Sequence, residues 1–276
     1  MSEKKVSRRS FIKKSTMGVA ASALLPSMLT ASQALAESKR KKNKMFCYQC
    51  EQTFRGKGCT SIGMCGKKPD VAALQDFLVY TLEGLSVASV AGRKAGVVDV
   101  ETNRFICMAL FSTLTNVDFD PNRFEDLLEE SVARRDDMIK RAMKAGGVVD
   151  MSHDSLTVKL KPTLDGLVKQ GGNYGLMAGE VDPDIRSLQH LLLFGLKGLA
   201  AYADHAMELG QEDDVVYEYV TRAMAVLTMK SPGMNDLLPL VLECGEKNVR
   251  AMELLDHGNT GTYGHPVPTE VPLAAK

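Results

Sequence analysis

The sequence has no tryptophan, few aromatic residues and no net charge. Aromatic residues make up 6% of the 276 residues, and 34 Lys and Arg balance 34 Asp and Glu. Zero net charge excludes a globally basic nucleic-acid-binding protein. The sequence also lacks a Ser/His/Asp grouping, a phosphate-binding loop and any useful alternating strand pattern, so nothing supports a hydrolase or a nucleotide-binding protein. With 45% hydrophobic residues, the chain is nevertheless apolar enough to bury a core.

The first 36 residues have the pattern of an export signal. The heptapeptide Ser-Arg-Arg-Ser-Phe-Ile-Lys at 7–13 matches the twin-arginine motif, and residues 34–36, Ala-Leu-Ala, are typical of a cleavage site. The alternative is a retained membrane anchor, because residues 17–36 are about long enough to span a bilayer. Pro26 and the many Ala, Ser and Thr residues favour a cleaved signal. We therefore expect a periplasmic protein exported in the folded state, with no later segment apolar enough to span a membrane.

Four of the six cysteines lie close together, directly after a basic linker. They are Cys47, Cys50, Cys59 and Cys65. Four thiolates on one short loop suit a tetrahedral metal ion or an iron–sulfur cluster. Zinc and two disulfides stay open as alternatives. The wide spacing of the second pair is unusual for zinc, and a chain of this size does not need disulfides to be stable. The spacing therefore favours an iron–sulfur cluster.

The residues around the loop fit a cluster. Glycines would let the backbone wind around it and direct N–H groups at its sulfurs; these are Gly56, Gly58, Gly63 and Gly66. Cationic side chains would lower the thiol pKa values and favour the reduced cluster; these are Arg55, Lys57, Lys67 and Lys68. The two remaining cysteines, Cys107 and Cys244, lie in apolar helical runs, and we predict that both are buried free thiols.

Several motifs carry a family resemblance. They are Met-Phe-Cys-Tyr-Gln-Cys-Glu-Gln-Thr at 45–53, Gly-Cys-Thr at 58–60, Gly-Met-Cys-Gly-Lys at 63–67, Leu-Gln-Asp at 74–76 and Asn-Thr-Gly-Thr-Tyr-Gly-His-Pro-Val-Pro-Thr at 259–269. Together they resemble the N-terminus of the hybrid-cluster (prismane) proteins, which are known as hydroxylamine reductases and are related to nickel carbon-monoxide dehydrogenases. The resemblance implies that Cys47, Cys50, Cys59 and Cys65 bind an electron-transfer [4Fe–4S] cluster.

The resemblance also implies what this chain lacks. In that family a second, hybrid cluster is bound by His, Glu and Cys residues of two further domains, which follow the Gly-His-Pro segment. Here the sequence stops at Lys276, and neither Cys107 nor Cys244 lies in a matching motif. We therefore expect a chain that resembles the helical N-terminal domain alone, with no catalytic residues for the hybrid-cluster reaction.

The rest of the chain has helical periodicity. We predict helices over 70–96, 101–117, 122–144, 184–210, 212–230 and 235–257, with Asp70 as the first N-cap. Residues 73–96 align without gaps with residues 187–210, which indicates an internal repeat offset by 114 residues. Both copies carry a glycine in mid-helix, Gly84 and Gly198, which suggests close helix packing at each. The predicted fold is all-α: two stacked three-helix bundles with the cysteine loop at one end.

The predicted organisation is a signal (1–36), a basic linker (37–45), the cysteine loop (46–69), a first bundle (70–146), a connection (147–181), a second bundle (182–258) and a C-terminal tail (259–276). For His190, on an apolar helix, a packed side chain is favoured over a ligand role. The favoured function is electron transfer to a redox partner, either a separate protein or a catalytic subunit that supplies the missing domains. The alternatives are a reductase of hydroxylamine or nitric oxide in its own right, and a redox sensor.

Overall fold

The computed structural model describes residues 45–175, 177–179 and 181–269. The predicted export signal and nearly all of the basic linker therefore lie outside the described residues. The described part of the chain belongs to one compact unit. It is helical throughout and contains no β-strand, only an isolated antiparallel bridge between Cys47 and Cys59. The all-α fold class is confirmed.

Seven α-helices follow the cysteine loop in the described residues. They are α1 (Pro69–Lys94), α2 (Val100–Ser112), α3 (Pro121–Lys144), α4 (Leu164–Gly171), α5 (Pro183–Glu208), α6 (Asp214–Val226) and α7 (Met234–Tyr263). Two short 3₁₀ turns, Phe54–Gly56 and Asp154–Leu156, lie in the cysteine loop and before α4.

All six predicted helices are present, with some different ends. The first begins at Pro69, so Asp70 lies in its first turn and is not the N-cap. The last helix runs past His257 to Tyr263. Helix α4 was not predicted, because its eight residues are too few to show a clear period; the side chain of Thr163 caps it by accepting a hydrogen bond from the Gly166 N–H.

The internal repeat is present in the backbone. Helices α1 and α5 are offset by 114 residues at both ends, and so are α2 and α6. Both first helices also end in the same way, on a glycine with positive φ, Gly96 (78°) and Gly210 (74°). The next residue then donates its N–H back to a carbonyl five residues earlier, from Val97 to Gly92 and from Gln211 to Ala206, at 2.8 and 2.9 Å.

The two three-helix sets interlock. Within each set the first helix packs most extensively on the third, α1 on α3 and α5 on α7. The middle helices cross over: α2 packs mainly on α5, and α6 mainly on α1. A bidentate ion pair, in which Arg93 of α1 donates to Asp214 of α6 at 2.6 and 2.8 Å, lies at one such crossing. The repeats therefore share one continuous core.

Helix α1 is the most enclosed helix of the described structure. It contacts α2, α3, α4, α6 and the 3₁₀ turn Asp154–Leu156. The five apolar residues whose spacing predicted this helix are all fully buried: Leu74, Phe77, Leu78, Leu82 and Leu85. By length and composition α1 could span a membrane, contrary to the expectation from sequence. However, 78% of its most apolar window is buried inside the protein, which is typical of a core helix.

The two mid-helix glycines differ in their surroundings. A Cβ built on Gly84 would lie 2.4 Å from the backbone oxygen of Ser155, so the 3₁₀ turn packs directly against this glycine. A Cβ on Gly198 would meet nothing within 4 Å. Close packing therefore explains Gly84, whereas the same explanation is wrong for Gly198.

We expect opposite effects from alanine at these two positions. Gly84→Ala should lower the free energy of unfolding by about 1–3 kcal/mol, because backbone must move to admit the methyl group. Gly198→Ala should raise it by up to about 1 kcal/mol through helix propensity. Chemical denaturation of both variants and the wild type measures these free energies of unfolding. Equal effects at the two sites would contradict the difference in packing.

Candidate metal centre

The cysteine loop, residues 45–68, is folded by its own backbone. Cys47 and Cys59 pair in the antiparallel bridge, in which the Cys47 N–H donates to the Cys59 carbonyl at 3.1 Å and the Cys59 N–H donates to that of Cys47 at 2.8 Å. A tight turn then closes around Cys65, with the N–H of Gly63 donating to the Lys67 carbonyl at 2.8 Å. The chain continues directly into α1.

Two glycines are required by this turn. A Cβ on Gly63 would lie 2.9 Å from the Cys65 Sγ and 3.2 Å from the Lys67 nitrogen. Gly66 has a φ of 88°, a conformation that other residues rarely adopt. At these two positions the path of the loop backbone requires glycine, and winding of this backbone around a cluster stays a prediction.

The four loop cysteines are free thiols. Cys59 is buried, and Cys47, Cys50 and Cys65 are half-buried. Within the described residues no group of three or more His, Cys, Asp or Glu side chains is gathered closely enough to hold a metal ion. Four thiolates repel one another, and a bound metal or cluster is what offsets that repulsion. The donor chemistry fits an iron–sulfur cluster, and the backbone brings Cys47 opposite Cys59.

Two lysines near the loop cysteines are buried, one in the loop itself and one on α5. Lys67 is 2% exposed and Lys197, from α5, is 5% exposed. Burial and the charge of Lys67 lower the pKa of Lys197, while Asp76 and the Cys47 thiol oppose that shift. Burial raises the pKa of Asp76, against the attraction of both lysines. Lys67 and Lys197 thus place positive charge close to the loop cysteines, an environment that stabilises negative charge on sulfur.

Lys197 also fixes the position of the loop. Its Nζ donates to the Thr113 carbonyl at 3.3 Å and to the Gln49 Oε1 at 3.4 Å. The Gln49 Nε2 donates to the same carbonyl at 3.4 Å. The segment between Cys47 and Cys50 is therefore tied both to the end of α2 and to α5, one helix from each repeat.

An aromatic contact fixes the same segment from another side. The Tyr48 hydroxyl is hydrogen-bonded to the Nδ1 of His190. The Tyr48 ring also meets the Phe194 ring edge-on, with centroids 5.6 Å apart. His190 is 7% exposed, so the prediction of a packed histidine is confirmed. It acts as a positioning group for the loop.

Sequence reasoning missed Lys197 and Asp76. Both lie on apolar helical faces. In the internal repeat Lys197 corresponds to Glu83 and Asp76 corresponds to His190, so each is matched by another polar residue 114 positions away. These matched polar residues within apolar helix faces could have identified the two positions from the sequence, because a buried charge is rare without a partner.

The two helical cysteines are separate from this centre. Cys107 is 1% exposed and Cys244 is 4% exposed, which confirms that they are buried free thiols. Burial raises the pKa of both. Such thiols are protonated at neutral pH and poor metal ligands.

Three apolar side chains of the loop are exposed to solvent. Phe54, Ile62 and Met64 are 50%, 58% and 58% exposed. Exposed cationic residues lie near them along the chain: Arg55, Lys57 and Lys68. Exposed apolar side chains with cationic residues nearby are typical of a protein docking surface.

Comparison with known proteins assigns the family. Residues 45–276 match the Prismane/CO dehydrogenase family. The chain belongs to this family. Proteins of this family bind iron–sulfur clusters, and the resemblance to the N-terminal domain of hybrid-cluster proteins is confirmed.

Individual relatives are similar over most of the chain. A hydroxylamine reductase of Syntrophobacter fumaroxidans is 57% identical over 233 residues, which cover 84% of this chain and 43% of the relative. One from Methanocella arvoryzae is 52% identical over 234 residues, with the same coverage of both chains. One from Geobacter metallireducens is 40% identical over 238 residues, again covering 84% and 43%. The chain thus spans less than half the length of these relatives.

Proposed function

We propose that the protein is an exported electron-transfer protein or subunit, in which Cys47, Cys50, Cys59 and Cys65 hold one [4Fe–4S] cluster. The observation that carries the proposal is the placement of four free thiols on one loop beside two buried lysines. Membership of an iron–sulfur family supports it. A cluster at this place supplies single-electron transfer.

The chain's own residues set the conditions for that transfer. Lys67 and Lys197 place positive charge beside the thiolates, which favours the more negative, reduced state. The Thr113 carbonyl and His190 hold the Cys47–Cys50 segment in place, so that little reorganisation accompanies a change of charge. The half-buried thiols leave the site close to the surface, where a partner can approach.

The exposed patch of Phe54, Ile62 and Met64 is the proposed docking surface for a redox partner. Its cationic rim favours a partner with an acidic rim. We propose either a soluble electron carrier or a catalytic subunit that carries hybrid-cluster domains. The similarity to hydroxylamine reductases favours a second candidate function, hydroxylamine reduction by the protein itself.

Iron analysis of the anaerobically purified protein separates these functions. The proposal predicts about four irons and four sulfides per chain and a single spin-half EPR signal after reduction with dithionite. Substantially more iron, high-spin signals on oxidation and consumption of hydroxylamine would favour the reductase. Zinc or disulfides in place of iron would contradict the cluster.

Matched cysteine variants identify the ligands. Cys50→Ser and Cys65→Ser should lose most of the bound iron, because a thiolate ligand is removed. Cys107→Ser and Cys244→Ser should retain it, because both thiols are buried in helices away from the loop. Iron retention in the first pair, or iron loss in the folded second pair, would contradict the assignment.

Adjacent lysines test the electrostatic role of the loop. Lys67→Met should lower the midpoint potential of the cluster by on the order of tens of millivolts, because a buried positive charge is lost. Lys68→Met should change it much less, because Lys68 is exposed and its charge is screened by water. Redox titration followed by EPR measures both potentials, and equal shifts would rule out a specific role for burial.

Export by the twin-arginine route is part of the proposal. Replacing both Arg8 and Arg9 with Lys should prevent transport, because the route requires the arginine pair. Cell fractionation with immunoblotting then shows full-length protein in the cytoplasm instead of cleaved protein in the periplasm. Unchanged periplasmic protein in the double variant would contradict this route.

A further inference from the structure

A polar cavity of about 140 Å³ lies between α1 and α5. Asp76, Tyr80 and Glu83 line it from α1, and His190 and Lys197 line it from α5. Lys197 and His190 also form hydrogen bonds with the cysteine loop, at Gln49 and Tyr48. Glu83 has no part in the proposed electron transfer.

The repeat explains why the cavity is polar. Its lining residues occupy equivalent positions of the two repeats, 114 residues apart: Asp76 corresponds to His190 and Glu83 to Lys197. The acidic groups belong to α1 and the basic groups to α5. The two helices therefore present different charges to a shared space that neither fills.

Only one of the two acids has a cationic neighbour. Asp76 is attracted to Lys197 and Lys67, which partly compensate its burial. Burial alone raises the pKa of Glu83, to about 8, with no nearby cation to lower it. Among the described residues the Glu83 carboxylate has no hydrogen bond and no ion pair. Glu83 is half-buried in the wall of the cavity, and a carboxylate that faces such a space without an ion-pair partner favours a cationic ligand.

The remaining walls define the shape of that ligand. Val79, Leu193 and Leu227 supply apolar surface. Tyr174 stacks on Tyr80 with ring centroids 3.9 Å apart, so that aromatic side chains stand beside Glu83. Aromatic and apolar walls with one carboxylate suit an amphipathic cation.

A second cavity adjoins the first. It has a volume of about 730 Å³ and shares Tyr80 and Leu227 with the smaller one. Its charged lining residues are Asp150, Asp154 and Lys230, so acidic groups outnumber basic ones. An acidic second cavity beside the first raises the local concentration of cations and repels anions.

We propose that the cavity between α1 and α5 binds a small primary alkylammonium ion, whose ammonium group pairs with Glu83 and whose alkyl part lies against Val79, Leu193 and Leu227. The primary ammonium supplies the N–H donors that a carboxylate accepts, which a quaternary ammonium lacks. A cavity of this size takes a ligand of roughly four to eight non-hydrogen atoms.

Binding is coupled to loss of a proton. With a pKa of about 8, the Glu83 carboxyl is mostly protonated at pH 7, and the cation pairs with its ionised form. The other titratable groups that face the cavity are Asp76, Tyr80, Tyr174, His190 and Lys197. Burial raises the pKa of both tyrosines, so they stay protonated at pH 7.

Calorimetry with n-butylammonium chloride tests the proposal on the purified protein. At pH 7, titrations in two buffers of different ionisation enthalpy should show saturable binding with release of up to about one proton per chain. Glu83→Gln should weaken binding about tenfold or more and abolish the proton release. Glu129→Gln, on the exposed face of α3, should change neither.

A second variant guards against an effect of Glu83 on folding. Leu193→Phe keeps the carboxyl but fills the apolar part of the cavity, and it should also block n-butylammonium. Three results would overturn the proposal: no saturable binding up to about 20 mM, undiminished binding to Glu83→Gln, or tetramethylammonium or acetate binding as tightly as n-butylammonium. Iron content does not enter the measurement, so the proposal stands or falls separately from the cluster.

Discussion

The enclosure of α1 is the constraint on which the rest of the structure depends. Five other elements pack around this helix, and its apolar residues form the centre of the continuous core. Close contact requires small residues where backbones meet it. Gly84 admits the Ser155 carbonyl, and Gly171 of α4 lies against the backbone of Ala73. Polar residues on such a helix lose water and must find a partner or become neutral.

The position of the cysteine loop depends on this helix. Lys67 lies two residues before Pro69, where α1 begins, so the helix fixes the end of the loop. Lys197 fixes the other end from the second repeat, through Thr113 and Gln49. Because the middle helices cross between repeats, both sets of helices meet at the loop. The interlocked arrangement thus gives four thiols on a short, irregular segment a rigid support.

Sequence reasoning located the repeat and most helices because both depend on local periodicity. The 114-residue offset found in residues 73–96 holds for the bounds of four helices. Helix α4 was not predicted because its eight residues show too little periodicity. The role of Gly198 was misjudged because glycine in a helix indicates a close contact only when another element lies there, which spacing cannot show. The four cysteines were recognisable as metal ligands because they lie close together in the sequence. Asp76 and Lys197 are far apart in the chain, so the sequence did not show that they interact.

The sequence by itself determined the helical content, the internal repeat, the four-cysteine loop and the family resemblance. Each of these depends on the identity and spacing of residues within short segments of the chain. Only the tertiary structure decided that the middle helices cross, that Lys67 and Lys197 are buried beside the loop, and that Glu83 faces a cavity. The physical reason is that burial and charge pairing depend on distances between residues remote in sequence. These distances follow from how helices pack, and helical periodicity specifies only which face of each helix is apolar.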